Sequence, residues 1–193
     1  MLVFAAATKS SAQADRVLSR IAARTRPPIP DLLEILFQRP LFAGFPRTIN
    51  VLGAFRRHFG FEAEAAPARS REEGLETLRG RGRELFARIY ADHTERVLSD
   101  LDRLHPELAD WILTDAYGYV LARPRLDPRI RELAACAALV GTGDLRQLSS
   151  HARGARHCGA EPAEIRSAVA LARPFADAAD AAEAEEILRR CLS

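Results

Sequence analysis

The chain has 193 residues, 48% of them apolar, and its 28 basic residues meet 26 acidic ones to leave a net charge of +2. That length and apolar content support one or two small domains with a real core and exclude a disordered chain. The balanced charge, with no basic stripe interleaved with aromatics, excludes nucleic acid as the main partner, and no apolar run approaches the roughly 20 residues that span a bilayer.

The start, Met1 to Thr8, is apolar but lacks a basic leading segment and runs straight into helix-like sequence, which argues against a signal peptide. Pro27, Pro28 and Pro30 break the first helices. A composition shift over residues 59–72 reads as a solvated linker between an N-terminal piece (1–58) and a C-terminal piece (73–193). Phe86, Ile89, Tyr90, Val97 and Leu101 fit one long helix, or two short ones meeting near Asp92. His105-Pro106 closes that stretch, and Arg123-Pro124 closes the next helix, which carries Trp111, Tyr117 and Tyr119.

Asp127-Pro128 is an N-cap followed by proline at the first helical position. The stripe Ile130, Leu133, Ala137 and Val140 follows, then a Gly141-Thr142-Gly143 turn, then the stripe Leu145, Leu148, Ala152 and Ala155. Glu161-Pro162 opens another helix, with Glu as a weaker cap. β-branched residues are scattered and no segment reads as a strand, so the fold class is all-α.

Two stretches of the chain also align with each other. Gln38 onward (QRPLFAGFPRTINVLGAFRR) parallels Ala172 onward (ARPFADAADAAEAEEILRR), and the preceding helices match at an offset of about 131. The N-terminal piece thus reads as half of the same helical unit, with Arg20 opposite His151.

The candidate chemistry lies in the C-terminal piece. If the helices flanking the Gly-Thr-Gly turn run antiparallel, Glu132 meets His151. An acid beside an imidazole fixes the ring's tautomer and favours its protonated form, which suits proton transfer at carbon. A helix starting at Asp144 would place Asp144, Gln147 and His151 on one polar strip. Arg129, Arg131 and Arg153 are candidates for gripping a substrate carboxylate, with Arg131 favoured. The alternative for the pair is a hydrogen-bonded clamp between two helices. Trp111, Tyr117 and Tyr119 suit either the core or a pocket wall, the core being the commoner fate. His93, His105 and His157 have no partner at meaningful spacing and read as surface or turn residues.

The three cysteines, Cys136, Cys158 and Cys191, form no Cys-x-x-Cys and suggest neither a disulfide scaffold nor a zinc site. No metal or cofactor is expected, and a reducing cytoplasm suits the free thiols.

From Gly82 to about Cys191 the sequence resembles the carboxymuconolactone decarboxylase family, which includes the AhpD-like alkylhydroperoxidases. The resemblance rests on the ELFARIY tract, Trp111, Tyr117-Gly118, Arg123-Pro124-Arg-Leu-Asp127, Arg131-Glu132-Leu133, His151-x-x-Gly154-Ala155, Gly159 and Glu164-Ile165. It implies an AhpD-like helical bundle, here one full repeat plus an N-terminal half repeat, assembling as a trimer or hexamer. The AhpD-like branch carries two cysteines where this chain has Asp144 and Gln147, so the resemblance is to the cysteine-free branch. Together with that pattern, His151 and Glu132 are the expected catalytic residues, and Arg131, Asp144, Gln147, Trp111 and Tyr117 are the residues expected to contact a small-molecule substrate.

The expected activity is decarboxylation or isomerisation of a small carboxylated lactone or related acid. A non-catalytic binding or scaffold protein and an AhpD-like peroxidase are the alternatives. The family's aromatic-x-Gly-x-Pro motif is lost at Phe175 to Ala179 but intact at Phe42-Ala-Gly44-Phe-Pro46. The N-terminal piece is therefore expected to pack beside the Glu132/His151 copy.

Overall fold

The computed structural model describes residues 10–24, 28–60 and 73–192; the apolar start, Pro27 and most of the expected linker lie outside them. Among the described residues every regular element is helical. The elements are α1 (Ser11–Arg24), α2 (Ile29–Phe37), α3 (Pro40–Phe59), α4 (Leu75–Tyr90), α5 (Thr94–Leu104), α6 (Leu108–Trp111), α7 (Pro128–Thr142), α8 (Leu148–His157), α9 (Pro162–Ala172) and α10 (Ala178–Cys191). Short 3-10 turns at Ala91–His93, Leu145–Gln147 and Arg173–Phe175 join some of them. A wide π-helical segment, Ile112–Leu121, continues α6, and the Ala122 amide donates to the Tyr117 carbonyl five residues back at 2.7 Å.

The stripe near Asp92 resolves into two helices, because Ala91 takes a left-handed φ of 48° and breaks α4 from α5. The Asp127 side chain accepts from the Arg129 amide at 2.7 Å, as the cap requires. Glu161 does better than a lone glutamate cap, because Glu164 reciprocates in a capping box. The Gly-Thr-Gly turn is smaller than expected: α7 runs through Thr142, and Gly143 alone, at φ 81°, ends it.

Each core follows from an apolar stripe. Leu133, Cys136, Ala137 and Val140 of α7 pack against Leu148, Ala152 and Ala155 of α8, with Ile165 of α9 and Leu188 of α10 closing the cluster. Leu85, Phe86 and Ile89 of α4 pack against Leu98 of α5 and Leu113 and Tyr117 of the π segment. Backbone meets backbone there: a Cβ on Gly82 would lie 1.8 Å from the Leu113 carbonyl oxygen. Leu18, Leu36, Val51 and Phe55 fill a third cluster among α1, α2 and α3.

The N-terminal helices are tied to α7 by a small apolar seam and a buried ionic knot. Ile35 packs with Leu126, Ala134 and Ala138. Beside it Glu34, 1% exposed, accepts from Nε (2.9 Å) and Nη2 (2.7 Å) of Arg123 and from Nη2 of Arg131 at 2.7 Å. Gln38 donates to the Arg131 carbonyl at 3.0 Å. Arg123 also lies over the Phe37 ring, 4.8 Å from its centre. Burial pushes the Glu34 carboxyl up, but the hydrogen bonds and charges of Arg123 and Arg131 outweigh it and hold the group below its ordinary value.

Removing Glu34 would leave two buried guanidinium groups uncompensated. Glu34→Gln is therefore expected to lower stability by about 3–5 kcal/mol in urea unfolding. Because the folded-state pKa is depressed, Glu34 stabilises the fold above the ordinary carboxylate value of 4.5 and loses that contribution as pH falls through its folded value. The acid limb of the stability curve should be shallower in Glu34→Gln than in the parent protein.

Candidate functional site

Glu132 lies one turn and a half into α7 and is 1% exposed; His151 lies at the fourth position of α8 and is 9% exposed. The two helices run antiparallel about the Gly143 cap, and the Glu132 Oε2 to His151 Nδ1 distance is 2.9 Å. An ionised carboxylate only accepts, so Nδ1 carries the proton and donates to Glu132, leaving Nε2 for other chemistry. The helices approach because small residues line both. A Cβ at Gly154 would lie 2.8 Å from Glu132 Oε2 and 2.6 Å from Ile89 Cγ2. Only hydrogen at that position leaves room for the carboxylate.

The N-terminal piece contributes directly. The Phe42 ring stands edge-on to the His151 ring, with centroids 5.6 Å apart. Near Glu132, the Tyr117 hydroxyl donates to the Tyr90 hydroxyl at 3.4 Å, and the Phe86 ring stacks on Tyr90. Burial first, and the negative charge of Glu132 as well, push both phenols up, so they stay protonated in the physiological range. The buried acid–imidazole pair thus has the Phe42 ring against His151 and the Tyr90 and Tyr117 phenols within the field of Glu132.

Of the remaining sequence candidates only Tyr117 lies near it. Asp144 precedes a 3-10 turn, so it does not share a helical strip with His151. Asp144 and Gln147 are both exposed. Arg131 is 1% exposed and committed to Glu34. Arg129 pairs with Glu164. Trp111 is 65% exposed and belongs to neither core nor pocket wall. Tyr117 is buried in the aromatic cluster next to the pair. His157, expected to lack a partner, hydrogen-bonds the Ile89 carbonyl at 2.7 Å. Among the described residues no cluster of three or more metal-ligating side chains occurs.

A cleft of about 270 Å³ opens on another face of α8, lined by Tyr90, Arg96, Asp100, Ser150, Arg153 and His157. Neither Glu132 nor His151 lines it. Periodicity places residues 150, 153 and 157 on a different helix face from 151 and 155, while Tyr90 lies both at the cleft and in the aromatic cluster near Glu132.

Sequence reasoning missed Arg39, which is fully buried at the junction of α2 and α3. Its one signal is the Arg39-Pro40 dipeptide, which marks a helix start. In an arginine-rich chain that does not reveal burial.

Comparison with known proteins agrees with this architecture. The model of the carboxymuconolactone decarboxylase family matches residues 106–190, which include both members of the pair. Peroxisomal protein 2 of Schizosaccharomyces pombe is 33% identical over 140 residues, covering 72% of this chain. The chain spans 65% of that protein's length.

The close approach at Gly154 is testable. Gly154→Ala should cost about 1–3 kcal/mol through overpacking against Ile89 and Glu132. An unfolding midpoint equal to that of the parent protein would contradict the geometry.

Proposed function

We propose, on the footing that the chain belongs through residues 106–190 to the carboxymuconolactone decarboxylase family, that it performs cofactor-free acid/base chemistry on a small carboxylated lactone or related acid. The observation that carries the reading is the 2.9 Å contact between Glu132 and His151 in a nearly closed setting. In decarboxylation the bond to the carboxylate carbon breaks and CO2 leaves. The electron pair moves into the conjugated system, and the His151 Nε2–H delivers its proton to the carbon. In isomerisation the neutral Nε2 takes a proton from an acidic carbon and returns it elsewhere. In both, Glu132 holds the ring by its Nδ1–H and stabilises the imidazolium.

The thiols support this over peroxide reduction. All three cysteines are free, and burial pushes each one up, Cys158 to about 11. Peroxide reduction needs a thiolate.

We place the protein in a reducing compartment, the cytoplasm, because its thiols are unpaired; among the described residues no helix is long and apolar enough to cross a membrane. We also read the N-terminal piece as a half repeat that completes the site, since Phe42 packs on His151. A homo-oligomer, trimeric or hexameric, belongs to the same proposal; the exposed Leu41, Phe45 and Ile49 of α3 support it.

His151→Asn should lower kcat/KM on a carboxylated lactone by about 10²–10⁴-fold while leaving the fold intact. Glu132→Gln should lower kcat more than it raises KM. Release of CO2, or loss of lactone absorbance, measures both. Full turnover by a folded His151→Asn variant would overturn the assignment. Absence of turnover across a panel of such acids by the parent protein would leave the pair as a helix clamp.

A further inference from the structure

The buried arginines of the α2–α3/α7 seam are not equally satisfied. Arg123 and Arg131 share Glu34, whereas Arg39, 0% exposed, has no ion pair with a carboxylate among the described residues. Its Nη1 donates to Thr48 Oγ1 at 3.3 Å, and Thr48 in turn donates to the Gly44 carbonyl at 2.9 Å. The hydroxyl proton is therefore used, and a lone pair is held toward Arg39. Nε and Nη2 have no hydrogen-bond partner among the described residues. Burial lowers the Arg39 pKa to about 10, and the like charge of Arg47 adds to the effect.

A buried cation left without a counter-charge is strongly unfavourable. The two open donors are the side-on edge of the guanidinium, where Nε–H and Nη2–H run parallel. That fork matches the two oxygens of one carboxylate.

Its position ties it to the pair. The preceding residue, Gln38, is fixed to the main chain of Arg131, next to Glu132. The Phe42 amide donates to the Arg39 carbonyl at 3.0 Å, so Phe42 stands one helical turn on, and its ring touches His151. Gly44, at φ 74°, then kinks α3 and turns Thr48 back onto Arg39.

We propose that Arg39 is the carboxylate receptor of this protein, gripping a small organic acid through Nε and Nη2, one helical turn from the Phe42 ring that packs on His151. The proposal deepens the acid/base reading and rests on it for its catalytic meaning, but binding at Arg39 does not require His151 to transfer a proton. It replaces Arg131, which Glu34 occupies, as the residue that orients the substrate.

The test uses the full chain with benzoate as the carboxylate probe and benzamide as its neutral analogue, read by thermal unfolding and calorimetric titration. Benzoate should raise the Tm of the parent protein and of His151→Asn alike, and benzamide should raise neither. Arg39→Met should abolish the benzoate shift and should itself melt higher than the parent without ligand, since the unpaired buried charge is gone. Arg39→Lys keeps the charge but loses the fork, and should weaken benzoate binding by about tenfold or more; it also serves if the methionine variant fails to fold.

An equal benzoate response in the parent and in either Arg39 variant would overturn the proposal. So would inorganic phosphate matching benzoate. A parent protein that ignores benzoate and gains Tm only with its own concentration would overturn it too, and would assign Arg39 to a neighbour's carboxylate. Intact benzoate binding in a protein that turns over no lactone would sink the acid/base reading alone.

Discussion

One carboxylate, Glu34, holds the N-terminal helices to the rest of the molecule. Two guanidinium groups converge on it inside the protein, one from the loop before α7 and one from α7 itself. The apolar seam around Ile35 is small, so the ionic knot decides where α2 and α3 sit. Their placement has consequences at the pair. Gln38 caps the Arg131 carbonyl, Phe42 reaches His151, and Arg39 is buried at the same seam. A buried ion pair is weak evidence for stability against an apolar replacement, but it fixes geometry, because breaking one half leaves the other uncompensated. Here it fixes which surface of α7 is covered and which side chains cover it.

The same knot shows what a sequence can and cannot disclose. Helix stripes and stop signals were legible because they are local: Asp127-Pro128 caps α7, and the alanine-rich stripes of α7 and α8 pair as their periodicity implies. The Glu132–His151 contact was legible for the same reason, since two consecutive antiparallel helices leave few ways to fold. Membership in the carboxymuconolactone decarboxylase family was legible from the order of weak motifs, and the family match covers them from residue 106 onward.

The misplaced residues depended on information that is not local. Arg131 looked available because nothing near it in sequence reveals that Glu34 claims it. Asp144 and Gln147 looked collinear with His151, but the 3-10 turn over Leu145–Gln147 rotates them away and leaves them exposed. Trp111 reads as core by composition and is exposed in the structure. Arg39 was hidden by abundance: in a chain this rich in arginine, what sets it apart is full burial with two unpartnered donors, which sequence does not disclose.

The pair is nearly closed to solvent, with a carboxylate hydrogen-bonded to an imidazole and the neighbouring thiols held in the protonated form. On the proposed reading, Glu132 fixes His151 with the proton on Nδ1 and leaves Nε2 to the substrate. The most direct measurement is nitrogen-15 NMR of the His151 ring at a pH where it is neutral. The account predicts the Nδ1–H tautomer, with a strongly downfield Nδ1 proton protected from exchange. An Nε2–H tautomer with a solvent-exchanging Nδ1 would contradict it.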